Sequence, residues 1–168
     1  KTLDLAASCS SDNSVLVFAS IYDEFLEKLK REGGYVIEGQ DKEKLQRVLW
    51  HDGHLNPGIV AQHAVSIAGQ AGIDLPEGKQ FLIVPETGTG PDYPFSGEKL
   101  TVTMALYKVK DIDEAIALIR GNRAAWLKPA LAALAAAGSA YVFSRSGYNR
   151  AKGAFHLAMQ FIVTPNMV

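Results

Sequence analysis

QFLIVPETGTGPDYPFSGEKLTVTMALYKV, residues 80–109, sets two apolar runs on either side of a long stretch without any period. QFLIVP (80–85) is short, unbroken and apolar, as expected of a strand covered on both faces. LTVTMALYKV (100–109) is a second such run, rich in β-branched and aromatic side chains. Between them, ETGTGPDYPFSGEK (86–99) carries glycine, proline and no amphipathic spacing. A loop of that length inside a compact domain is usually functional or disordered.

Working outward, strand and helix signals alternate. SVLVFAS (14–20) reads as a buried strand. IYDEFLEKLKRE (21–32) places Ile21, Phe25, Leu26 and Leu29 at helical spacing, and Gly33-Gly34 ends that helix. YVI (35–37) is a short strand, followed by Asp41 as N-cap of KEKLQRVLW (42–50), whose Leu45, Val48 and Leu49 share a face. NPGIVAQHAVSIAGQAGI (56–73) reads as a third helix, with Pro57 near its start and Gly72 near its end. DIDEAIALIR (111–120) opens another, capped by Asp111. This alternation predicts an α/β domain: a mostly parallel sheet with helices on both faces. Farther on, AAWLKPALAALAAAG (124–138) has alanine-driven helix propensity. SAYVF (139–143) and MQFIVT (159–164) look like short strands around the basic loop SRSGYNRAKGAFH (144–156). No internal repeat is visible.

Composition narrows the partners. Of 168 residues, 48% are hydrophobic, enough for a globular core. The 17 basic and 18 acidic side chains are scattered, giving a net charge of −1. Without a basic stripe, nucleic acid is not an expected partner. One cysteine cannot form an intramolecular disulfide, which suits a reducing compartment. The longest apolar stretch, within LKPALAALAAAGSAYVF (127–143), is interrupted by Lys128, Pro129, Gly138 and Ser139. It is too short to span a bilayer. KTLDLAAS (1–8) does not read as a signal peptide. A cytoplasmic domain is expected, with no membrane partner.

Several side chains invite a chemical reading. Cys9, in LAASCSSDNS (5–14), is either a small packed hydrophobe or a reactive thiol. Its serine neighbours, just ahead of a strand, put it within reach of solvent and of backbone N–H groups. Those groups stabilise a thiolate and an oxyanion. His51 and His54 in HDGH, with His63 beyond, have a spacing used at zinc sites. No second cysteine accompanies them, so solvated loop histidines are the preferred reading and no metal is expected. Asp111, Asp113 and Glu114 are read as a helix N-terminus complementing the macrodipole. ETGTG lacks the following Lys-Ser/Thr of a phosphate loop. Arg145, Arg150 and Lys152 suit an anion, although a solvated loop is the default.

Three blocks in order, KTLDLAASCSSDNSVLV (1–17), GKQFLIVPETGTGPDYPFSGEKLTV (78–102) and YKVKDIDEAIAL (107–118), resemble the catalytic domain of the aldehyde dehydrogenase superfamily. Within it they are similar to the CoA-acylating branch, in particular to sulfoacetaldehyde dehydrogenases. The resemblance runs from Lys1 to about Leu118. It implies that Cys9 is the nucleophile and that a thioester on its sulfur passes to coenzyme A. It also implies that Glu98 binds the nicotinamide ribose hydroxyls, and that Leu100 stands where relatives place an aromatic residue against the nicotinamide. The expected protein is an NAD- or NADP-dependent acylating enzyme acting on a small-molecule aldehyde, its protein partner being either further copies in a homo-oligomer or the family's cofactor-binding domain. Residues 1–120 form the catalytic-domain-like region, and 121–168 a divergent C-terminal segment packing on the same domain. The family's cofactor-binding domain and its oxyanion-hole asparagine are absent from the chain. The alternative is a non-catalytic assembly or binding module derived from that domain.

Overall fold

The computed structural model describes residues 1–7, 11–122 and 161–163. Five strands form one sheet: β1 (Ser14–Phe18), β2 (Gly34–Val36), β5 (Phe81–Glu86), β6 (Thr103–Val109) and β7 (Phe161–Val163). Their spatial order is β2-β5-β6-β1-β7, and every neighbouring pair is parallel. Val15, Leu16 and Val17 of β1 are all buried, as are Phe81 to Val84 of β5. Successive strand side chains point to opposite faces, so unbroken burial means that both faces are covered. That is why these strands read as continuous apolar runs rather than alternating ones.

The covers are helices with one apolar stripe each. Helix α1 (Tyr22–Arg31) lays Phe25, Leu26 and Leu29 against the core. Helix α2 (Gly39–Leu49) buries Leu45 and Leu49 completely. Helix α3 (Ala64–Gln70) buries Ala64, Ile67 and Ala68. It ends on paired bonds, Gly72 N–H to Gly69 O at 3.1 Å and Ile73 N–H to Ala68 O at 2.9 Å, which satisfy carbonyls that the helix leaves over. A further helix, α4, runs from 112 to 122 as far as it is described. Asp111 caps it, accepting the Glu114 N–H at 2.9 Å, while the Glu114 carboxylate reaches back to the Lys110 N–H. Among the described residues no helix is long and apolar enough to cross a membrane.

Three local expectations need correction. The third helix does not begin at Pro57. Residues Pro57–Ile59 form a separate 3-10 turn, capped by the Asn56 side chain on the Gly58 N–H at 2.9 Å. Extended Val60 and left-handed Ala61 (φ 55°) then break the ladder before α3. Asp41 lies inside the first turn of α2, whose N-cap is Glu38. There it pairs with Lys44 at 2.7 Å instead of capping. The run 100–109 pairs as a strand only from Thr103, because Leu100 adopts φ 44°, outside the extended region.

The first two strands of the sheet order leave no room at Gly34. A Cβ there would stand 2.6 Å from Ile83 Cδ1, 2.8 Å from the Leu29 carbonyl oxygen and 2.9 Å from Phe81 Cε2. The carbonyl belongs to α1 and cannot yield without moving the helix. Gly34→Ala is therefore expected to cost about 1–3 kcal/mol. Urea unfolding should show this as a lowered midpoint at unchanged slope.

Candidate active site

Between β5 and β6 the chain crosses over through residues 87–102, and the best-connected carboxylate of that crossover is Glu98. Its Oε1 accepts the Asn13 amide Nδ2–H at 2.6 Å, the Lys99 N–H at 3.0 Å and the Leu100 N–H at 3.2 Å. Asn13 immediately precedes β1. Its Oδ1 also accepts the Lys99 N–H at 3.1 Å, and its carbonyl takes the Ala105 N–H from β6 at 2.9 Å. The amino ends of the two neighbouring strands are thus tied together through one carboxylate and one carboxamide. Glu98 Oε2, in contrast, is buried and has no hydrogen-bond partner among the described residues. A buried anionic oxygen without a donor is costly, so this atom suits an incoming hydroxyl or N–H.

Next to it, Lys99 is fully buried. Its ammonium donates to the Phe95 carbonyl at 2.6 Å and the Gly97 carbonyl at 2.8 Å, closing the turn that delivers Glu98. Burial first, then repulsion from Lys1, pulls its pKa from 10.5 down to about 7, against the attraction of Glu98 and Glu86. The Phe95 ring is held from two sides. Trp50 meets it edge-on with centroids 5.0 Å apart, and the Lys42 ammonium stands 5.8 Å from its centre. Lys42 pairs in turn with Glu86 at the end of β5, at 2.8 Å, and donates to the Pro85 carbonyl at 3.1 Å. Tyr107 donates its hydroxyl to the Gly88 carbonyl at 3.1 Å, and its pKa is raised by burial and by Glu86.

Of the residues singled out in the sequence, Glu98 and Leu100 meet here. Leu100 sits in the left-handed region, its N–H on Glu98 Oε1 and its carbonyl accepting the Ala61 N–H at 3.3 Å. Backbone held in that region concentrates at functional sites. Cys9 lies outside the described residues, as do Arg145, Arg150 and Lys152. His51 and His54 face each other across a small antiparallel hairpin, β3 (Trp50–His51) and β4 (His54–Leu55). Its two-residue Asp52-Gly53 turn has positive φ at both positions, 51° and 77°, as a tight hairpin requires. His63 lies elsewhere, at the N-terminus of α3. Two amides of ETGTG serve the loop itself: Gly90 N–H donates to Ser96 Oγ at 2.9 Å and Thr87 N–H to Glu86 Oε2 at 3.3 Å.

Sequence reasoning missed Asn13, Lys99, Lys42 and Glu86. For Asn13 and Lys99 the signal was present but faint. Each is a polar residue placed immediately beside a singled-out residue or a buried strand, where a solvated side chain is the default expectation.

No protein-family model matches the chain. Over 118 residues it is 41% identical to the acylating sulfoacetaldehyde dehydrogenase of Cupriavidus necator, covering 69% of this chain and 24% of that protein. Over 116 residues it is 37% identical to the aldehyde-alcohol dehydrogenase of Clostridium acetobutylicum, covering 69% of this chain and 14% of that one. The chain thus spans about a quarter or less of the length of these curated relatives. Among solved structures, an acetylating aldehyde dehydrogenase from Geobacillus thermoglucosidasius superposes with a TM-score of 0.72 at 35% identity, over 74% of this chain and 28% of that one. Sequence and fold together fit the CoA-acylating branch of the aldehyde dehydrogenases.

Lys99 makes a pH prediction. Unfolded, its amine holds a proton up to about pH 10.5, whereas in the fold it releases it near 7. Between these values the unfolded chain binds more protons, so stability rises with pH; below 7 the full penalty of the buried charge remains. Lys1, lowered to about 8 by burial, adds a contribution of the same sign. Urea midpoints taken from pH 7 to 9 should climb, and Lys99→Met should flatten the climb. An unchanged slope in the variant would remove Lys99 as its source.

Proposed function

We propose that this chain is the nucleophile-bearing part of an NAD(P)-dependent, CoA-acylating aldehyde dehydrogenase. Residues 1–120 act as its catalytic region, and 121–168 as a divergent segment belonging to the same domain. The observation that carries the reading is Glu98. Its carboxylate has one oxygen saturated and one buried oxygen waiting for a donor, as a contact to a ribose hydroxyl needs. It is tied to Asn13, four residues after Cys9 in the chain. Four residues of extended backbone span at most about 14 Å.

In this reading the Cys9 thiolate adds to the aldehyde carbon, forming a C–S bond and a thiohemiacetal alkoxide. A thiolate does this well because it is a strong nucleophile at moderate basicity. NAD(P), when bound, supplies the acceptor for the hydride that leaves this carbon. What remains on the sulfur is a thioester. The thiol of coenzyme A then attacks it, the Cys9 thiolate leaves, and acyl-CoA departs with the proton balance returned to solvent. Glu98 binds and orients through Oε2, while Leu100, held at φ 44°, keeps its backbone N–H on the other oxygen, Oε1. The roles of Cys9 and Glu98 follow from the family resemblance of the sequence blocks that hold them, and assembly into a homo-oligomer is part of the proposal.

A second reading, a non-catalytic assembly module, draws on Ile112 and Ile116. They lie one turn apart on α4, and both are exposed. On that view neither NAD(P) nor coenzyme A raises the melting temperature, so a clear rise removes it.

The enzymatic reading is tested by intact mass. With a dinucleotide-binding domain supplied, incubation with aldehyde and NAD(P) should add one acyl group, which added coenzyme A removes. Cys9→Ser should show no adduct. An adduct that survives in Cys9→Ser, or none in the parent chain, sinks the assignment.

A further inference from the structure

We propose that His51 and His54 form a two-imidazole chelating site for a divalent late transition cation of the zinc and copper class. Along the chain, HDGH (51–54) is a polar stretch with two histidines three positions apart. The fold turns it into a hairpin. His51 of β3 pairs with His54 of β4 in antiparallel register, directly across the two-residue turn. Residues paired in this way project to the same face, with their Cβ atoms about 4.5–5.5 Å apart. From that separation two imidazoles can each set one nitrogen at about 2.0–2.1 Å from a shared cation. Neutral imidazole suits zinc, copper and nickel, whereas magnesium and calcium take oxygen ligands.

The pair is held in place and turned outward. The neighbouring pair, Trp50 and Leu55, packs against the core, and Trp50 meets the Phe95 ring edge-on at 5.0 Å. Successive strand residues point to opposite faces, so His51 and His54 stand on the face away from the core, and both are exposed. Asn56 closes the base of the hairpin on the end of α2. Its N–H donates to the Leu49 carbonyl at 2.8 Å and its Nδ2–H to the Val48 carbonyl at 3.0 Å. The turn between the histidines is set by left-handed Asp52 and Gly53. The ordering that chelation demands is thus largely made by the fold before a cation arrives. Among the described residues no group of three or more His, Cys, Asp or Glu side chains is placed to hold a metal ion together. The described residues therefore supply two ligands here, and the remaining coordination positions are open to water or a small anion. Because Trp50 belongs to the same hairpin, a cation that pins β3 to β4 also steadies the contact with Phe95 in the crossover.

The test uses the whole chain in a Cys9→Ser background, which removes the thiol as a competing ligand. Zn²⁺ alone and Cu²⁺ alone are titrated by calorimetry, with Mg²⁺ as control, and the Cu²⁺ complex is read by electron paramagnetic resonance. Both cations should bind saturably, Cu²⁺ more tightly, with two imidazole nitrogens in the spectrum, while Mg²⁺ gives no heat. His51→Asn and His54→Asn should each raise the Kd for Zn²⁺ at least tenfold. The double variant should be within twofold of either single one, because a chelate broken at one end is broken altogether. His63→Asn, at the start of α3, should leave the Kd within twofold. Saturating Zn²⁺ should raise the melting temperature of the parent by about 2 °C or more, and that of either single variant by less than half as much. Acidification should weaken binding, since protons compete for the same nitrogens. No saturable binding of either cation, an unchanged Kd in either single variant, a tenfold loss in His63→Asn, or additive losses as from two separate imidazoles, overturns the site.

Discussion

Parallel neighbours cannot be joined by a tight turn. Because β5 and β6 run side by side in the same direction, the chain must travel back along the whole sheet between Glu86 and Thr103. In most α/β units a helix makes that return and satisfies its own backbone. Here residues 87–102 make it with only a 3-10 turn at Pro94–Ser96. Their carbonyls and N–H groups must find partners elsewhere. Besides short backbone turns, many of the partners are side chains: Lys99 for Phe95 and Gly97, Tyr107 for Gly88, Asn122 for Ser96, and Glu98 for the amides of Lys99 and Leu100. The polar groups of the candidate site are thus the same groups that make an irregular crossover possible.

Electrostatics explains the choice of residues. A buried ammonium loses hydration worth several kcal/mol, and two carbonyls only partly replace it. Lys99 is therefore weakly basic, and it tolerates its position because Glu98 and Glu86 lie near. Lys42 solves a similar problem differently. It stays partly in solvent while its head group meets Glu86, whose side chain is only 3% exposed, and passes close to the Phe95 ring. Each of the two carboxylates has a cationic neighbour, one at each end of the crossover.

The sheet was legible in the sequence because burial on both faces leaves continuous apolar runs, and 14–18, 81–86 and most of 100–109 are such runs. Helix ends were legible where backbone chemistry demands a particular residue, as at Asp111 and at Gly72. What escaped was decided by tertiary contact. Nothing local distinguishes Val60-Ala61 from helix interior; the break follows from Ala61 bonding across to Leu100. Leu100 has strand propensity, yet it is pulled into a left-handed turn by the carboxylate two residues before it. Glu98 entered through family resemblance alone. Its partner Asn13, 85 positions away in the chain, is a relation that no window of sequence contains.

The strand order carries a consequence for how the molecule is made. The first strand, β1, finds its partners only in β6 and β7, pairing Ser14 with Ala105 and Val15 with Phe161. During synthesis it must therefore wait as an unpaired apolar ribbon until nearly a hundred more residues have emerged. Such long-range closure is slow and prone to aggregation. The bond between Asn13 and Glu98 lies at the end of that same seam, so this polar cluster is completed in the step that buries β1, and a ribosome-bound or half-folded chain does not yet hold it.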